Sequence, residues 1–239
     1  MNPRLHDFFF TVYPYLCLAV FLMGSLARFD RDQYTWKSDS SQLLRSGQLR
    51  WGSNLFHVGI LFLLVGHTVG LLTPHFVYEP FITAPQKQWL AMVSGGLAGA
   101  VCFVGLSLLL HRRLFDPRIR LTSHRTDLAI LMILWVQLSL GLVTLPFSFA
   151  HRVDAHAMLV LADWAQGIVT FRPDAAALAG LDWPFKLHIV LGMTIFLLFP
   201  FSRLVHVWSG LASVAYLFRP YQIVRSRRLN LPAGQNPLR

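Results

Sequence analysis

Charged residues are scarce in this sequence. Asp, Glu, Lys and Arg together make up 13% of the 239 residues, whereas a soluble domain usually carries about 25%. The hydrophobic fraction is 54%, and the mean hydropathy is +0.50. This composition excludes an ordinary soluble domain and indicates that lipid is the solvent for much of the chain.

Cysteine is also scarce, since Cys17 and Cys102 are the only two and both lie inside apolar runs. Two thiols are too few for the disulfide framework of a small secreted protein and for an iron–sulfur cluster, which needs about four thiolates. The formal net charge is +10, but the basic residues fall between apolar runs. We therefore attribute the charge to membrane topology and predict no nucleic-acid partner.

Long apolar runs dominate the rest of the chain. A helix needs about 20 mostly apolar residues to cross a bilayer. Five runs qualify, and they are 8–27, 54–73, 88–110, 126–145 and 184–208. The first lacks a small-residue cleavage site and is interpreted as a retained helix. Pro74 and Pro146 are expected to end the second and fourth runs, and Pro200 lies inside the fifth.

These runs predict an all-α fold, an integral membrane bundle of five transmembrane helices over residues 1–225. Residues 226–239 are predicted to form a basic, flexible tail. In the loop between the last two runs, residues 155–171 alternate between apolar and polar at roughly helical spacing. We expect a short interfacial helix there.

The basic residues also predict the orientation. Sixteen Lys and Arg follow the first, third and fifth runs, and five lie in the other segments. The positive-inside rule places the richer side in the cytoplasm. The N-terminus is therefore expected to be periplasmic and the C-terminus cytoplasmic.

Four histidines lie within the predicted spans: His57 and His67 in the second, His188 and His206 in the fifth. Ionisable residues at membrane depth are rare and usually functional. One such histidine can simply bond to a neighbouring helix. Four histidines on two helices favour cofactor ligation, because neutral imidazole is a good axial ligand for haem iron.

The topology suggests how these histidines pair. The second and fifth spans are antiparallel, so His57 lies level with His206, and His67 lies level with His188. The fit is imperfect, because His188 and His206 are eighteen residues apart, about 27 Å along a helix, whereas His57 and His67 are ten apart, about 15 Å. His75 lies eighteen residues after His57 and is an alternative, although it follows Pro74. The spacing favours His67 without excluding His75.

Several glycines near these histidines would let a flat cofactor approach the backbone. They are Gly59, Gly66, Gly70 and Gly192. Small residues also serve ordinary helix packing, and we assign Gly95 and Gly99 to that role.

At these residues the sequence resembles the gamma subunit of respiratory nitrate reductase, a membrane cytochrome b. The resemblance spans nearly the whole chain, and its most specific stretches are 33–36, 53–57, 66–67, 70–75, 112–115, 187–193 and 199–206. The resemblance implies two haem b groups, one held by His57 and His206 and the other by His67 and His188. It thereby selects His67 over His75.

The resemblance also implies a function in the bacterial inner membrane. Quinol, either menaquinol or ubiquinol, is expected to be oxidised near the outer haem. Electrons then pass to an iron–sulfur beta subunit and a molybdenum-containing alpha subunit, where nitrate becomes nitrite. Lys87 matches a quinol-site lysine of the family, and Gly66, His67 and Gly70 are expected to line that site. Lys87 and His67 are therefore the candidate catalytic residues.

Two further roles are weighed against simpler ones. Lys87 can instead be a lysine that extends its ammonium group to the membrane surface. Arg112 and Arg203 lie at the cytoplasmic boundary, where we expect haem propionates to emerge and pair with them; the simpler reading is that they only set topology.

Two other functions compete with the nitrate reductase subunit. The first is a related cytochrome b that serves another quinone-linked reductase, such as a sulfur-cycle complex. The second is a haem-free membrane anchor, against which the four in-span histidines speak.

Overall fold

The computed structural model describes residues 2–31 and 46–209, and these residues are helical with no strand among them. Five helices are long and apolar enough to cross a membrane, as expected. They are α1 (Pro3–Arg31), α2 (Ser46–Leu72), α4 (Ala84–Phe115), α6 (Arg125–Ala150) and α8 (Trp183–Leu198). Three shorter helices connect them: α3 (His75–Tyr78), α5 (Pro117–Thr122) and α7 (His156–Val169).

Helix α7 confirms that a helix lies within 155–171. The helices packed closely side by side are α2 with α4, α4 with α6, α6 with α8, and α8 with α1, while α7 packs against α2. A buried apolar cluster that includes Phe10, Trp164 and Phe185 joins α1, α7 and α8. Helix α2 carries His57 and His67, and helix α8 carries His188. These two helices are not among the closely packed pairs.

Pro14 widens helix α1 locally. Proline has no amide hydrogen, so the carbonyl of Phe10 loses its usual partner four residues on. Residues Phe8–Val12 form a π-helical turn at this place. The indole Nε1–H of Trp164 donates to the Phe10 carbonyl at 2.9 Å, which satisfies a group that apolar surroundings would otherwise leave unpaired.

The two later prolines behave differently from expectation. Pro146 does not end its helix, because α6 continues through it to Ala150. Membrane helices tolerate proline where local adjustments re-satisfy the freed backbone groups. Pro200 does interrupt its run: α8 ends at Leu198 and is followed by the 3₁₀ turns Phe199–Phe201 and Arg203–Val205. Arg28 of α1 donates to the carbonyls of Pro200 and Ser202 at 2.8 and 2.9 Å, and so satisfies this irregular backbone.

Glutamine side chains satisfy the carbonyl groups at two other helix ends. Gln166 of α7 donates to Leu71 and Thr73 at the end of α2, at 3.0 and 3.4 Å. Gln88 of α4 donates to the carbonyl of Ser148 near the end of α6 at 2.6 Å. The last carbonyls of a helix have no partner within it, so these contacts lock α7 and α4 to their neighbours.

Two ends of the bundle are defined by helix α4. Its first turn contacts α3, which in turn contacts α7 through His75 and Asp163, and we call this the α7 end. Its last turn contains Arg113, which contacts Asp127 of α6, and we call this the Asp127 end. From Lys87 to Arg113 the helix rises about 39 Å.

A second unit of the chain begins at His206. Its described residues, 206–209, are helical. The predicted tail at 226–239 and the stretch 33–36 lie outside the described residues, and the division at residue 225 stays a prediction.

Candidate functional site

His67 of α2 and His188 of α8 face each other across the bundle. Their ring centroids are 6.3 Å apart, with 35° between the ring planes. Two imidazoles on opposite sides of one metal ion, each with its nitrogen about 2 Å from the ion, have centroids about 6 Å apart. The spacing of this pair is therefore compatible with a shared iron.

The hydrogen bonds of three histidines select one tautomer. Nδ1 of His57 lies 2.7 Å from the Ser53 carbonyl, and Nδ1 of His67 lies 2.7 Å from the Leu63 carbonyl. Nδ1 of His188 lies 3.1 Å from the Gln137 carbonyl. A carbonyl oxygen only accepts, so each Nδ1 carries the hydrogen, and each Nε2 has the lone pair that a metal requires.

Gln137 of α6 is the closest polar neighbour of His188. Its Nε2 donates to the His188 backbone carbonyl at 3.0 Å and lies 3.4 Å from the ring Nε2. Gly141, one turn later on α6, lies so close that an added Cβ would come within 3.0 Å of the His188 ring. Helix α6 therefore fixes this imidazole in place.

The glycines divide into two groups. A Cβ on Gly66 or Gly70 would meet nothing within 4 Å, so these two border open space beside His67. A Cβ on Gly59 would come within 2.6 Å of the Cys102 Cβ, so Gly59 serves close packing of α2 on α4 and not approach to a cofactor. Gly99 also packs, since its added Cβ would lie 2.9 Å from Leu142.

His206 cannot be treated as one helix with His188. The fifth run was expected to form one helix, but the helix ends at Leu198. The rise of about 1.5 Å per residue therefore cannot be applied over the eighteen residues from His188 to His206, and the mismatch with the ten residues from His57 to His67 no longer applies. His206 is the first residue of the second unit. Its pairing with His57 stays a prediction.

His75 lies beyond α2, as Pro74 suggested, and begins α3. Both of its ring nitrogens have partners: Nε2 lies 3.0 Å from Asp163 Oδ1, and Nδ1 lies 3.1 Å from the Tyr78 hydroxyl. These contacts favour His67 over His75 as a cofactor ligand.

Lys87 does not extend to the surface. It is 8% exposed, and its Nζ has no hydrogen-bond partner in the described part of the chain. The ammonium lies 3.8 Å from the centroid of the Tyr78 ring. This burial removes the interpretation of Lys87 as a lysine reaching for the membrane surface.

Two arginines at the Asp127 end share one carboxylate. Asp127 Oδ2 lies 3.6 Å from Arg113 and 3.4 Å from Arg203. Arg112, next to this pair, is buried. Sequence reasoning proposed Arg112 and Arg203 for this boundary but missed Asp127, which lies in the first turn of α6 and carries no signal beyond its charge.

The other contacts that sequence reasoning missed involve Gln137, Tyr78 and Asp163. Gln137 and Asp163 contact residues that are far away in the chain, whereas Tyr78 contacts His75 and Lys87, which are three and nine residues away; no local motif marks any of them. His151, just after α6, and His156, the first residue of α7, also form a ring pair, with centroids 6.4 Å apart.

Comparison with known proteins gives consistent results. The sequence pattern of the family described as nitrate reductase gamma subunit matches residues 6–227. The chain is 51% identical over 224 residues to the respiratory nitrate reductase 1 gamma chain of Escherichia coli (strain K12), covering 93% of this chain and 98% of that protein. It is 52% identical to the respiratory nitrate reductase 2 gamma chain of the same strain, covering 95% and 100%.

A more distant relative is the nitrate reductase gamma chain of Bacillus subtilis (strain 168). It is 38% identical over 217 residues, which cover 90% of this chain and 96% of that protein. The family pattern and these relatives extend over the helices that carry the histidine pair. This chain therefore belongs to the nitrate reductase gamma subunit family.

Proposed function

We propose that this chain is the membrane cytochrome b subunit of a respiratory nitrate reductase, where it oxidises quinol and delivers the electrons to partner subunits. The observation that carries the proposal is the facing pair His67 and His188, in a chain of this family with five helices able to span a membrane. The names of the relatives favour nitrate reductase over a sulfur-cycle complex.

The side chains that would hold two haem b groups are His67 with His188 and His57 with His206. Their fit is supported by the tautomers that the backbone carbonyls select. When bound, haem b supplies a carrier that takes up and releases one electron at a time. Arg112 and Arg203 are proposed to neutralise propionates at the Asp127 end, with Arg203 also held by Asp127.

Quinol is proposed to bind at the α7 end, beside Lys87 and in the open space next to Gly66 and Gly70. Oxidation of quinol to quinone releases two electrons and two protons. The buried Lys87 can bind a quinol oxygen and help to remove its proton. His67 links this place to the cofactor, because it lies between the two glycines on α2.

The charge distribution supports a direction for the reaction. Sixteen of the 21 Lys and Arg belong to the segments that include the Asp127 end, so that end is proposed to face the cytoplasm of a bacterial inner membrane. Protons then leave at the periplasmic α7 end, and electrons are delivered at the cytoplasmic end. The proposed partners there are an iron–sulfur beta subunit and a molybdenum-containing alpha subunit.

The test is the haem content of the detergent-purified chain, followed by its reduction with a menaquinol analogue. About two haem b per polypeptide, both reduced by quinol, are expected. In Lys87→Met the haem content should stay the same, while quinol-dependent reduction should slow by roughly 100-fold. The matched control is Lys186→Met. Lys186 is only partly buried and donates to the Ala179 carbonyl, so the haem of this variant should be reduced at the normal rate.

Absence of haem from protein made with an adequate haem supply would overturn the proposal and leave a membrane anchor. A haem-loaded protein whose reduction by quinol is unaffected in Lys87→Met would retain the cytochrome and remove Lys87 from the quinol site.

A further inference from the structure

Lys87 is held in surroundings that disfavour its charge. The residue is 8% exposed, and burial without a partner is costly for an ammonium group. It also lies in the first turn of α4, where the N-terminal end of the helix dipole is positive and repels a cation. Its Nζ has no hydrogen-bond partner among residues 2–31 and 46–209.

The Tyr78 ring is the group that faces this ammonium. Nζ lies 3.8 Å from the ring centroid, well within the range of about 6 Å at which the negative face of an aromatic ring attracts a cation. Tyr78 is itself 7% exposed, so water does not screen the contact. Because Tyr78 sits on α3 and Lys87 on α4, the contact joins two helices.

The hydroxyl of Tyr78 is hydrogen-bonded to His75. It lies 3.1 Å from Nδ1 of His75. Burial raises the pKa of the Tyr78 phenol, and the nearby charges of Glu79 and Asp163 raise the pKa further, so the hydroxyl keeps its hydrogen and donates to His75. The imidazole then carries its own hydrogen on Nε2, which donates to Asp163 on α7 at 3.0 Å.

These contacts form a chain that starts at Lys87 and ends at two carboxylates about 60% exposed, Asp163 and Glu79. We propose that Tyr78 is a positioning residue for Lys87: its ring holds the ammonium for quinol, and the His75–Asp163 contacts hold the ring. This inference rests on the proposed role of Lys87 as a quinol ligand. Tyr78 does not itself touch the quinol.

The experiment measures quinol-dependent haem reduction in membranes that contain the complete complex, using a menaquinol analogue. Tyr78→Leu removes the ring and should raise KM about tenfold, since a desolvated cation–ring contact has roughly that effect on binding. Tyr78→Phe keeps the ring and loses only the hydroxyl, so KM should change by about twofold. His75→Ala should resemble Tyr78→Phe.

A double variant tests whether Tyr78 acts through Lys87. Groups that share one interaction have non-additive effects. Adding Tyr78→Leu to Lys87→Met should therefore change KM no further. Haem content and the reduced absorption spectrum should stay as in the unsubstituted chain in every variant, which shows that assembly is intact.

The controls use Tyr15, a tyrosine of α1 that stacks on Phe171 and donates its hydroxyl to the Ile168 carbonyl at 3.1 Å. Neither Tyr15→Leu nor Tyr15→Phe should change KM. If Tyr78→Leu fails to assemble with haem, Tyr78→Met supplies an unbranched side chain of similar length without the ring.

The inference is overturned if Tyr78→Leu leaves KM unchanged, if Tyr78→Phe is as impaired as Tyr78→Leu, or if the double variant is additive. Failure of the proposed quinol site gives a different result, because Lys87→Met would then have a normal KM whatever the Tyr78 variants do.

Discussion

The cations at the two ends of helix α4 have different surroundings. At the Asp127 end, Arg113 and Arg203 share the carboxylate of Asp127, at 3.6 and 3.4 Å. At the α7 end, the carboxylate Asp163 contacts His75. Lys87 faces the ring of Tyr78 and has no hydrogen-bond partner within the part of the chain that the structure describes.

The arginines at the Asp127 end already have a carboxylate partner, whereas the ammonium of Lys87 is available to a ligand. A partly buried ion pair compensates part of its own desolvation, so a paired arginine gains less from a further anion than an unpaired cation does. A buried ammonium without a carboxylate gains most when a polar group approaches it. This difference is the reason for proposing the quinol site at the α7 end, whereas Asp127 joins α4, α6 and the turn that carries Arg203.

The largest expected effect is on haem content. His188→Ala or His67→Ala should each remove one haem, leaving about one per chain, because a single axial imidazole is lost from the pair at the α7 end. The measurement is the haem spectrum per polypeptide. His156→Ala is the matched control, since His151 and His156 also form a ring pair but lie in the loop and at the start of α7; a haem loss there would contradict the assignment.

A second comparison uses two glycines on helix α2. Gly59→Leu should prevent stable assembly or cost at least about 3 kcal/mol, because a side chain there collides with α4. Gly66→Leu enters open space and should leave the thermal midpoint unchanged while raising KM for quinol. Equal thermal midpoints for the two variants would refute this division of the glycines.

A third test compares the carboxylates of the two ends. Asp127→Asn leaves the partly buried Arg113 and Arg203 without their shared anion and should destabilise the protein by about 2 kcal/mol, because charged hydrogen bonds are lost. Asp163→Asn alters a carboxylate that is largely exposed, and the free energy of unfolding should shift by less than about 0.5 kcal/mol. Thermal unfolding of the purified chain in detergent measures both, and a larger effect of Asp163→Asn would reverse the comparison.

The smallest expected effect concerns the widened turn in α1. Trp164→Phe removes the donor to the Phe10 carbonyl and should cost about 1 kcal/mol. Trp89→Phe serves as the control, because Trp89 is exposed. If Trp164→Phe unfolds at the same temperature as the unsubstituted protein, the π-helical turn does not depend on this bond.

Much of the fold was predictable from the sequence, because a membrane-spanning helix must be both apolar and about 20 residues long. The run lengths predicted all five long helices, and the alternation of apolar and polar residues predicted the short helix within 155–171. The effects of Pro146 and Pro200 were harder to predict, since a proline is accommodated or disruptive according to which neighbours satisfy the backbone. Arg28 supplies those bonds after Pro200, and nothing local in the sequence indicates this.

For the candidate site, the sequence and the family resemblance supplied the candidate residues, and their roles stay predictions. The choice of His67 over His75 followed from the position of Pro74 and from the family resemblance, and the partners of His75 agree with it. The role of Gly59 was misjudged, because the sequence does not tell which side of α2 meets α4. Lys87 was a candidate from its family position, but its burial against Tyr78 depends on how α3 folds back over α4.

By itself, the sequence determined the all-helical membrane architecture and the family, and it named four in-span histidines as candidate ligands, because each depends on composition, run length or local motif. Only the tertiary structure decided which imidazoles face each other, which arginines share Asp127, and which group faces the Lys87 ammonium. These contacts join residues on different helices, so they exist only once the packing of the helices fixes the distances between them.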